Sequence, residues 1–491
     1  MENRVLTALA ALIIVLTALF LSAVTAYQQS YVILQSSGTA QQPVARYGPS
    51  EIRGVFVKWL DAGTTWETLA ASYEPYGVNW LVGEAFGTYF SRSNLTSIGV
   101  YNQVYDYIGR GIKAAHAHGM KFTAMMLVGY RGPELGAPDP AIDVVDQNGK
   151  LQLWTCPLKA KGLILSIVRE VAAKYPGLDG FMFDYIRYST DYDMSMCYCE
   201  SCYQRFVADT GLTDVVWRSD VIPGGRYYAQ WLEWRVKPIT ELVRDVRAAM
   251  LAINPKLEFS IASLALWYDN GVGYGHPIRQ WFGQDVATMV SEGYIDVVCP
   301  MQYTADLSLM AGIIDTNSKY LVGGVEGKVS LVPVIGGMEG KAGDLTPAQV
   351  ASVVALLREK GADGFLIYRQ IPDFASKYLS QIPNNPTFTT SYFQPQRTLG
   401  NVTFTWTTSA AASSFFEYST SPLFSTQEAV YNGFKYFEVV HSAATVSVQN
   451  GELTTTHSVT IPVNSTAPIY FRVQSADANN VLSSPQLIYN P

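Results

Sequence analysis

Eight short apolar runs, separated by stretches with helical periodicity, dominate the chain from Ile52 onward. Apolar residues that recur every three or four positions indicate amphipathic helices, whereas short continuous apolar runs indicate buried strands. Strands that alternate with helices are typical of a parallel sheet with crossover connections. The eight runs are Gly54–Trp59, Trp80–Glu84, Phe122–Val128, Gly180–Tyr185, Leu257–Ala262, Ile295–Tyr303, Val329–Ile335 and Gly364–Tyr368.

Eight strand and helix pairs over residues 51–383 predict an α/β fold of the (β/α)8, or TIM, barrel type rather than an open doubly wound sheet. No glycine-rich phosphate loop follows the first run, which argues against a nucleotide-binding fold. Because 491 residues exceed what one hydrophobic core usually serves, a smaller second domain is expected beside the barrel.

The first 26 residues predict a membrane-targeting segment, either a signal peptide or a transmembrane anchor. Val5–Ala26 contains no charged residue. Its length suits a spanning helix, which needs about 17–25 residues, better than a cleaved signal peptide. The small residues Val24-Thr25-Ala26 leave cleavage open. Residues 27–50 predict a flexible linker. Because the N-terminal segment targets the membrane, the rest of the chain is expected outside the cell, either secreted or held at the membrane by its N-terminal helix.

The charge balance excludes one class of partner. With Lys+Arg at 34 and a net charge of -7, the chain offers no basic patch for nucleic acid. Charged residues make up only 15% of the chain and aromatic residues 13%, which indicates a surface suited to neutral sugars.

Alternating strands with Gly, Asn and Pro turns follow Pro386. Val402–Trp406 and Ile469–Val473 are examples, and the pattern predicts a small all-β sandwich over residues 386–491. The segment Tyr470–Asp477 resembles a late strand of the fibronectin type III domain. That resemblance implies an immunoglobulin-like spacer or binding accessory.

Four of the five cysteines form a constellation around the fourth run. Cys197, Cys199 and Cys202 follow the run, and Cys156 precedes it. Closely spaced thiolates can bind structural Zn²⁺ tetrahedrally. Two disulfides are the alternative in an exported protein. Cys299 lies on the sixth run and is expected to be a buried core thiol.

The order Cys-Pro, helix, acid-bearing strand, then Cys-x-Cys-x-x-Cys is similar to family 42 glycoside hydrolases, which include β-galactosidases. In that family four cysteines in this order hold a structural zinc. The resemblance implies Cys156, Cys197, Cys199 and Cys202 as the zinc ligands.

Asp184 is the strongest catalytic candidate, because barrel enzymes carry their chemistry at the C-terminal ends of the strands. It follows the apolar Phe181–Phe183 and precedes Tyr185 and Arg187, where a carboxyl group can be partly desolvated. The segment Asp179–Tyr188 resembles the strand-four motif of uncharacterised glycosyl-hydrolase-like barrels, the family 10-like group among them. The resemblance implies glycan hydrolysis with Asp184 as general acid/base.

Two departures limit that resemblance. Chitinase-type family 18 barrels carry a glutamate where this chain has Ile186, and family 42 enzymes carry an Asn-Glu pair where it has Asp184-Tyr185. Neither chitinase nor β-galactosidase activity is therefore implied.

Glycoside hydrolysis usually needs a second carboxylate. Glu84, Asp269, Asp306 and Glu339 each follow a run closely enough to be considered. We prefer Glu339, because strand seven carries the nucleophile in related barrels. Glu84, which is expected at the very tip of its strand, is the second choice. Each could instead be a solvated loop acid or the partner of an arginine.

Aromatic side chains near strand ends could stack on pyranose rings. Trp59, Trp267, Tyr303 and Tyr368 hold such positions, although many aromatic residues only pack. Gln302-Tyr303 resembles the strand-six Met-x-Tyr of family 18 barrels, where the tyrosine faces the substrate. Arg187 could bind an anionic sugar, or could hold Asp184 ionised.

These features predict an extracellular glycoside hydrolase that cleaves oligo- or polysaccharides by a carboxylate mechanism, with no organic cofactor. The alternative is a carbohydrate-binding or cell-surface structural barrel that lacks turnover, since a fold alone does not establish activity.

Overall fold

A computed structural model describes most of the chain after residue 50. The described residues are 51–61, 63–99, 102–132, 135–189, 196–265, 272–273, 276–322, 329–337, 344–360, 362–382, 390–398, 400–421, 424–431, 434–441, 446–463, 467–476, 481–483 and 487–489. Among them, no helix is long and apolar enough to cross a membrane. The predicted targeting segment and linker lie outside the described residues.

Eight parallel strands close into a barrel, as predicted. Each strand pairs with the next along the chain, and the eighth pairs with the first. The strands are β1 Ile52–Val57, β2 Trp80–Gly87, β3 Lys121–Leu127, β4 Gly180–Asp184, β5 Glu258–Leu264, β6 Val297–Met301, β7 in two pieces, Ser330–Leu331 and Val334–Gly336, and β8 Gly364–Tyr368.

Helices follow the strands. They are α1 Trp66–Tyr73, α2 Tyr107–Ala117, α3 Pro157–Lys174, α4 Glu200–Thr210, α5 Tyr228–Trp234, α6 Val236–Ile253, α7 Ile278–Phe282, α8 Val286–Ser291, α9 Leu307–Val322, α10 Pro347–Glu359 and α11 Phe374–Lys377. The predicted continuous helix from Tyr228 to Ile253 is wrong in detail, because Arg235 separates α5 from α6. The guanidinium of Arg235 is buried and donates to the carbonyl oxygen of Met196.

Alternating side chains of the strands fill the barrel. Phe56, Val82, Met182, Cys299 and Leu366 belong to one buried interior cluster. The larger cluster between strands and helices contains the intervening residues, such as Val55 and Phe181. The prediction that Cys299 is a core thiol is confirmed, since its side chain is fully buried. This alternation decides which residues reach the barrel mouth, because the next inward position after each interior side chain lies there.

A short hairpin between β3 and α3 was not predicted. Asp143–Val145 pairs with Leu151–Thr155 in antiparallel fashion. Trp154 of this hairpin is fully buried and belongs to a second hydrophobic cluster with the cysteines and with Trp231. The hairpin also carries Asp143, whose carboxylate pairs with the buried Arg131. It therefore joins the cysteine cluster to the barrel mouth.

The C-terminal part contains a six-stranded antiparallel sheet and a separate hairpin among its described residues. The strands are β9 Thr390–Thr398, β10 Asn401–Ser419, β11 Phe424–Tyr431, β12 Phe434–His441, β13 Val446–Pro462, β14 Ile469–Ala476, β15 Val481–Ser483 and β16 Leu487–Tyr489. Val402, Phe404, Trp406 and Phe416 of β10 share one buried cluster. The predicted all-β character is confirmed, whereas the fibronectin type III identity stays a prediction.

Candidate active site

Two carboxylates lie at the barrel mouth. Asp184 ends β4, two positions after the interior residue Met182, and Glu84 lies on β2, two positions after the interior residue Val82. Because inward side chains alternate along parallel strands, both carboxylates face the axis of the barrel. The charge of Asp184 contributes to raising the pKa of Glu84, so the two groups interact directly through space.

Asp184 has a partly desolvated carboxyl group. Its side chain is 14% exposed, and burial raises its pKa above the usual range for aspartate. The backbone N–H of Tyr185 donates to Oδ1 at 2.6 Å, and an amino group of Arg187 lies 3.5 Å from the same oxygen. These contacts, together with the charge of Lys58, lower the pKa but offset burial only in part. A proton on Asp184 is therefore easier to retain than on an ordinary aspartate.

Glu84 is more deeply buried and more firmly held. The residue is 5% exposed, and burial is the main cause that raises its pKa. Arg92 donates to its Oε1 at 3.0 Å and, through Nε, to its backbone carbonyl oxygen at 2.8 Å. The sequence placed Glu84 at the tip of its strand, which is wrong, because β2 continues to Gly87. An irregularity in the β2 and β3 pairing falls between Glu84 and Phe86, and such bulges reorient side chains near sites.

Tyrosines surround the two acids. The rings of Tyr303 and Tyr368 lie 5.8 Å apart, and Tyr368 also contacts the interior ring of Phe56 at 5.0 Å. Tyr303 is 39% exposed. Burial of the phenolic groups is the main cause that raises the pKa of both tyrosines, and the charge of Asp184 adds to it. Tyr368 ends β8 and Tyr303 follows β6 closely, as the sequence predicted, whereas their contact with a sugar stays a prediction.

Arg187 packs over the ring of Tyr185. Its guanidinium carbon lies 4.3 Å from that ring centroid, and its side chain is 6% exposed. Tyr185 has a backbone φ of 54°, in the left-handed region that residues other than glycine rarely adopt. Such backbone strain is concentrated at functional sites. The Asp184 to Arg187 segment therefore has a constrained conformation that directs two charged groups to one place.

Trp154 of the unpredicted hairpin supports that segment from behind. Its indole Nε1 donates to the carbonyl oxygen of Arg187 at 3.0 Å, and its ring contacts Tyr185 edge-on at 5.7 Å. Gly129 lies between them, and a Cβ there would come within 2.6 Å of both the Trp154 indole nitrogen and the Tyr185 carbonyl oxygen. Only glycine allows this close approach.

The four cysteines form one compact buried group. Their sulfur atoms all lie within 4.8 Å of one another, and none is in a disulfide. Sγ of Cys156 lies 3.9 Å from that of Cys199 and 3.7 Å from that of Cys202. A disulfide requires about 2.05 Å. Four sulfurs at about 2.3 Å from a tetrahedral metal ion lie about 3.8 Å apart, so this donor set fits a metal site.

The remaining predicted residues have mixed outcomes. Trp59 is 39% exposed and lies under the guanidinium of Arg369, whose carbon is 4.0 Å from the ring centroid. Gln302 is 1% exposed, and in the described part of the chain its side-chain amide has no hydrogen-bond partner. Asp306 accepts hydrogen bonds from the backbone N–H groups of Ser308 and Leu309 at the start of α9, which is a capping role. Trp267, Asp269 and Glu339 lie outside the described residues.

Sequence reasoning missed several residues of the mouth. Lys58 contributes to lowering the pKa of both carboxylates, and it is the next inward position after the interior residue Phe56. Strand alternation could have found it. Arg92 lies beyond β2 and gave no such signal, and neither did Trp154.

Several solved glycosidase structures are similar to this chain. A β-galactosidase from the psychrophilic Marinomonas ef1 is 11% identical with a TM-score of 0.47, covering 64% of this chain and 54% of its own. A family GH42 β-galactosidase from G. stearothermophilus is 13% identical with a TM-score of 0.48, covering 67% and 52%. A GH18 chitinase from Pseudoalteromonas aurantia is 12% identical with a TM-score of 0.40, covering 67% and 98%.

The chain thus spans about half the length of the β-galactosidases it matches. Curated protein sequences give no significant match. Residues 89–330, just under half of the chain and including β3 to β6 and all four clustered cysteines, match the profile of the family Glycosyl hydrolase-like 10.

Proposed function

We propose that this protein hydrolyses glycosidic bonds, with Asp184 as the general acid and Glu84 as its anionic partner. The observation that carries the proposal is the pair of carboxylates in one barrel mouth, each with a pKa raised chiefly by burial. Glycosidases use such a pair, and the acid must keep a proton until the leaving group departs. The family match over residues 89–330 supports the same reaction class.

The contacts of the two acids suggest their roles. Glu84 has a close ion pair with Arg92 at 3.0 Å, which favours its ionised form. Asp184 has one cationic contact, with Arg187 at 3.5 Å, and is the more exposed of the two carboxylates. Asp184 would donate its proton to the glycosidic oxygen as the C–O bond breaks. Glu84 would attack the anomeric carbon or deprotonate the attacking water, according to its separation from Asp184.

Glu339, which the sequence analysis preferred over Glu84, remains the alternative second carboxylate. The two alternatives give different results for Glu84→Gln. If Glu84 is the partner, this variant loses turnover while substrate binding persists. If Glu339 is the partner, Glu84→Gln keeps substantial turnover and Glu339→Gln loses it.

The test is a hydrolysis screen against a panel of polysaccharides, with reducing ends and anomeric configuration followed by proton NMR. Asp184→Asn and Glu84→Gln should each lower turnover by about 10²–10⁴-fold. Glu258→Gln is the matched control, because Glu258 begins β5, pairs with the surface Lys121 and is half exposed. No cleavage of any panel member by the unaltered protein would favour the carbohydrate-binding alternative instead.

For the cysteine cluster we propose structural Zn²⁺ bound by all four thiolates. Burial of all four sulfurs and their spacing support this assignment over two disulfides. Elemental analysis of purified protein should give one zinc per chain, and Cys199→Ser should lower that content. Two disulfides in the intact protein by mass spectrometry would rule the zinc site out.

We further propose that the N-terminal segment exports the protein and that the barrel acts outside the cell, secreted or anchored. The C-terminal sheet would serve as a spacer or accessory on the glycan side. Fractionation of the producing cells, together with N-terminal sequencing of the mature chain, tests location and cleavage at once.

A further inference from the structure

Positive charge is in surplus at the described part of the barrel mouth. The whole chain has a net charge of -7, so this local excess is opposite in sign to the protein. Three cationic side chains and two carboxylates act electrostatically on one another there: Lys58, Arg92, Arg187, Glu84 and Asp184. Three charges against two leave an excess of one, which rises to two when Asp184 holds its proton.

Two of these cations, Lys58 and Arg187, are not held in a close ion pair with either carboxylate in the described part of the mouth. Lys58 is half-buried, and within the described residues it has no ion pair, only the ring of Trp59 at 5.0 Å from its Nζ. Arg187 contacts Asp184 at the long distance of 3.5 Å, and its buried Nε has no hydrogen-bond partner among the described residues. A buried guanidinium with an unused donor is costly unless a ligand completes it.

From this arrangement we propose that the substrate is an anionic glycan, whose carboxylate or sulfate group binds between Lys58 and Arg187 beside the cleaved bond. This inference rests on the proposed hydrolysis and names its substrate class. The ring of Tyr185 packs against one face of the Arg187 guanidinium group. An anion would therefore bind along the edge of that group, where its N–H donors point. Lys58, with its compact ammonium group, would supply the second contact.

The same binding mode would also affect the pKa of Asp184. An anion bound between the two cations would neutralise part of the charge that favours ionised Asp184. Binding of an acidic sugar would therefore help Asp184 to hold its proton until catalysis. A neutral glycan would leave the two cations uncompensated and desolvated.

The experiment is affinity electrophoresis of the full chain in gels that contain matched pairs of polysaccharides. A glucuronic-acid-bearing xylan and its carboxyl-reduced form test carboxylate, and a sulfated galactan and its desulfated form test sulfate. We expect at least one anionic form to retard the protein about tenfold more strongly than its neutral counterpart. Lys58→Gln and Arg187→Gln should abolish that preference.

Arg244→Gln is the control for non-specific attraction, because Arg244 lies on α6 with half of its side chain exposed and pairs with Asp245. It should keep the preference. Arg187 is buried, and its replacement could unfold the site. If Arg187→Gln is unstable, Lys58→Gln decides the outcome. Lys58→Arg keeps the positive charge and should restore binding.

Equal retardation by charged and neutral forms, or an anionic preference that survives Lys58→Gln, would overturn the inference. The readout is binding, so it is independent of turnover. Cleavage of neutral glycans without any anionic preference would leave the proposed hydrolysis standing and remove this inference. Anionic preference without cleavage of the bound polymer would support anion binding at this site and contradict the proposed hydrolysis.

Discussion

Replacing Trp154 with phenylalanine tests whether the hairpin behind the mouth positions the Asp184 to Arg187 segment. The substitution keeps an aromatic ring against Tyr185 but removes the indole N–H that donates to the Arg187 carbonyl oxygen. Because the hydrogen bond is buried, that carbonyl group would lose its donor without gaining water.

The expected cost follows from two contributions. Leaving a buried acceptor unsatisfied costs about 1–3 kcal/mol. Phenylalanine is smaller than tryptophan by a volume on the order of 40 Å³, which at roughly 24 cal/mol per Å³ adds about 1 kcal/mol. Trp154→Phe should therefore lower the free energy of unfolding by about 2–4 kcal/mol.

Trp66→Phe provides a matched control for ring volume. Trp66 begins α1, is fully buried like Trp154, and packs edge-on against Tyr107 and Phe122. Its indole N–H has no hydrogen-bond partner among the residues that the structure describes, so its removal is expected to cost packing alone. Urea unfolding followed by far-UV circular dichroism should find Trp154→Phe less stable than Trp66→Phe by about 1–3 kcal/mol.

Activity separates positioning from stability in the same pair. If Trp154 positions Arg187 and Asp184, Trp154→Phe should lower kcat and alter the pH dependence of turnover while the folded fraction stays complete. Trp66→Phe should leave both unchanged. Equal stability losses in the two variants, or an unchanged pH profile for Trp154→Phe, would refute the reasoning.

Three further predictions follow from charges in the fold. Lys58→Met removes a charge that lowers the pKa of Asp184, so the limb of the pH–rate profile on which activity falls with rising pH should move to higher pH. Burial lowers the pKa of His457, so the neutral side chain contributes its full stability to the C-terminal sheet above the unfolded-state pKa of about 6.5. That contribution should disappear as the pH falls through the lower folded-state pKa. Thermal unfolding at a series of pH values measures this, with His457→Gln as the pH-insensitive reference. Arg131→Met leaves the buried Asp143 without its cation and should cost about 3–5 kcal/mol in urea unfolding, and a second change, Asp143→Leu, should recover part of that loss.

The barrel was predictable because its signals are local. Each strand is a short run such as Phe181–Phe183, and a capping pattern such as Thr346-Pro347 marks the start of a helix. The break in β7 was less visible. Pro333 has no backbone N–H, so Val332 and Pro333 interrupt the strand that the apolar run predicted as continuous.

The mouth was only partly predictable, for a related reason. Asp184 could be identified because a charge directly follows an apolar run, and Lys58 occupies the equivalent position on β1. Arg92 could not be found in this way, because its contact with Glu84 depends on how the chain turns back after β2. The loop after β2, rather than the strand itself, therefore determines whether Glu84 is paired with an arginine.

The hairpin that ends at Thr155 changes the interpretation of the cysteines. The sequence suggested a structural site beside Asp184 with no stated link to it. In the fold, Cys156 follows the hairpin directly, Thr155 donates its backbone N–H to the Gly129 carbonyl oxygen, and Gly129 donates to that of Tyr185. Two backbone hydrogen bonds thus connect the residue before Cys156 to Tyr185, which lies next to the proposed acid. A metal ion held by the four cysteines would restrain this end of the hairpin, and with it the backbone beside Asp184.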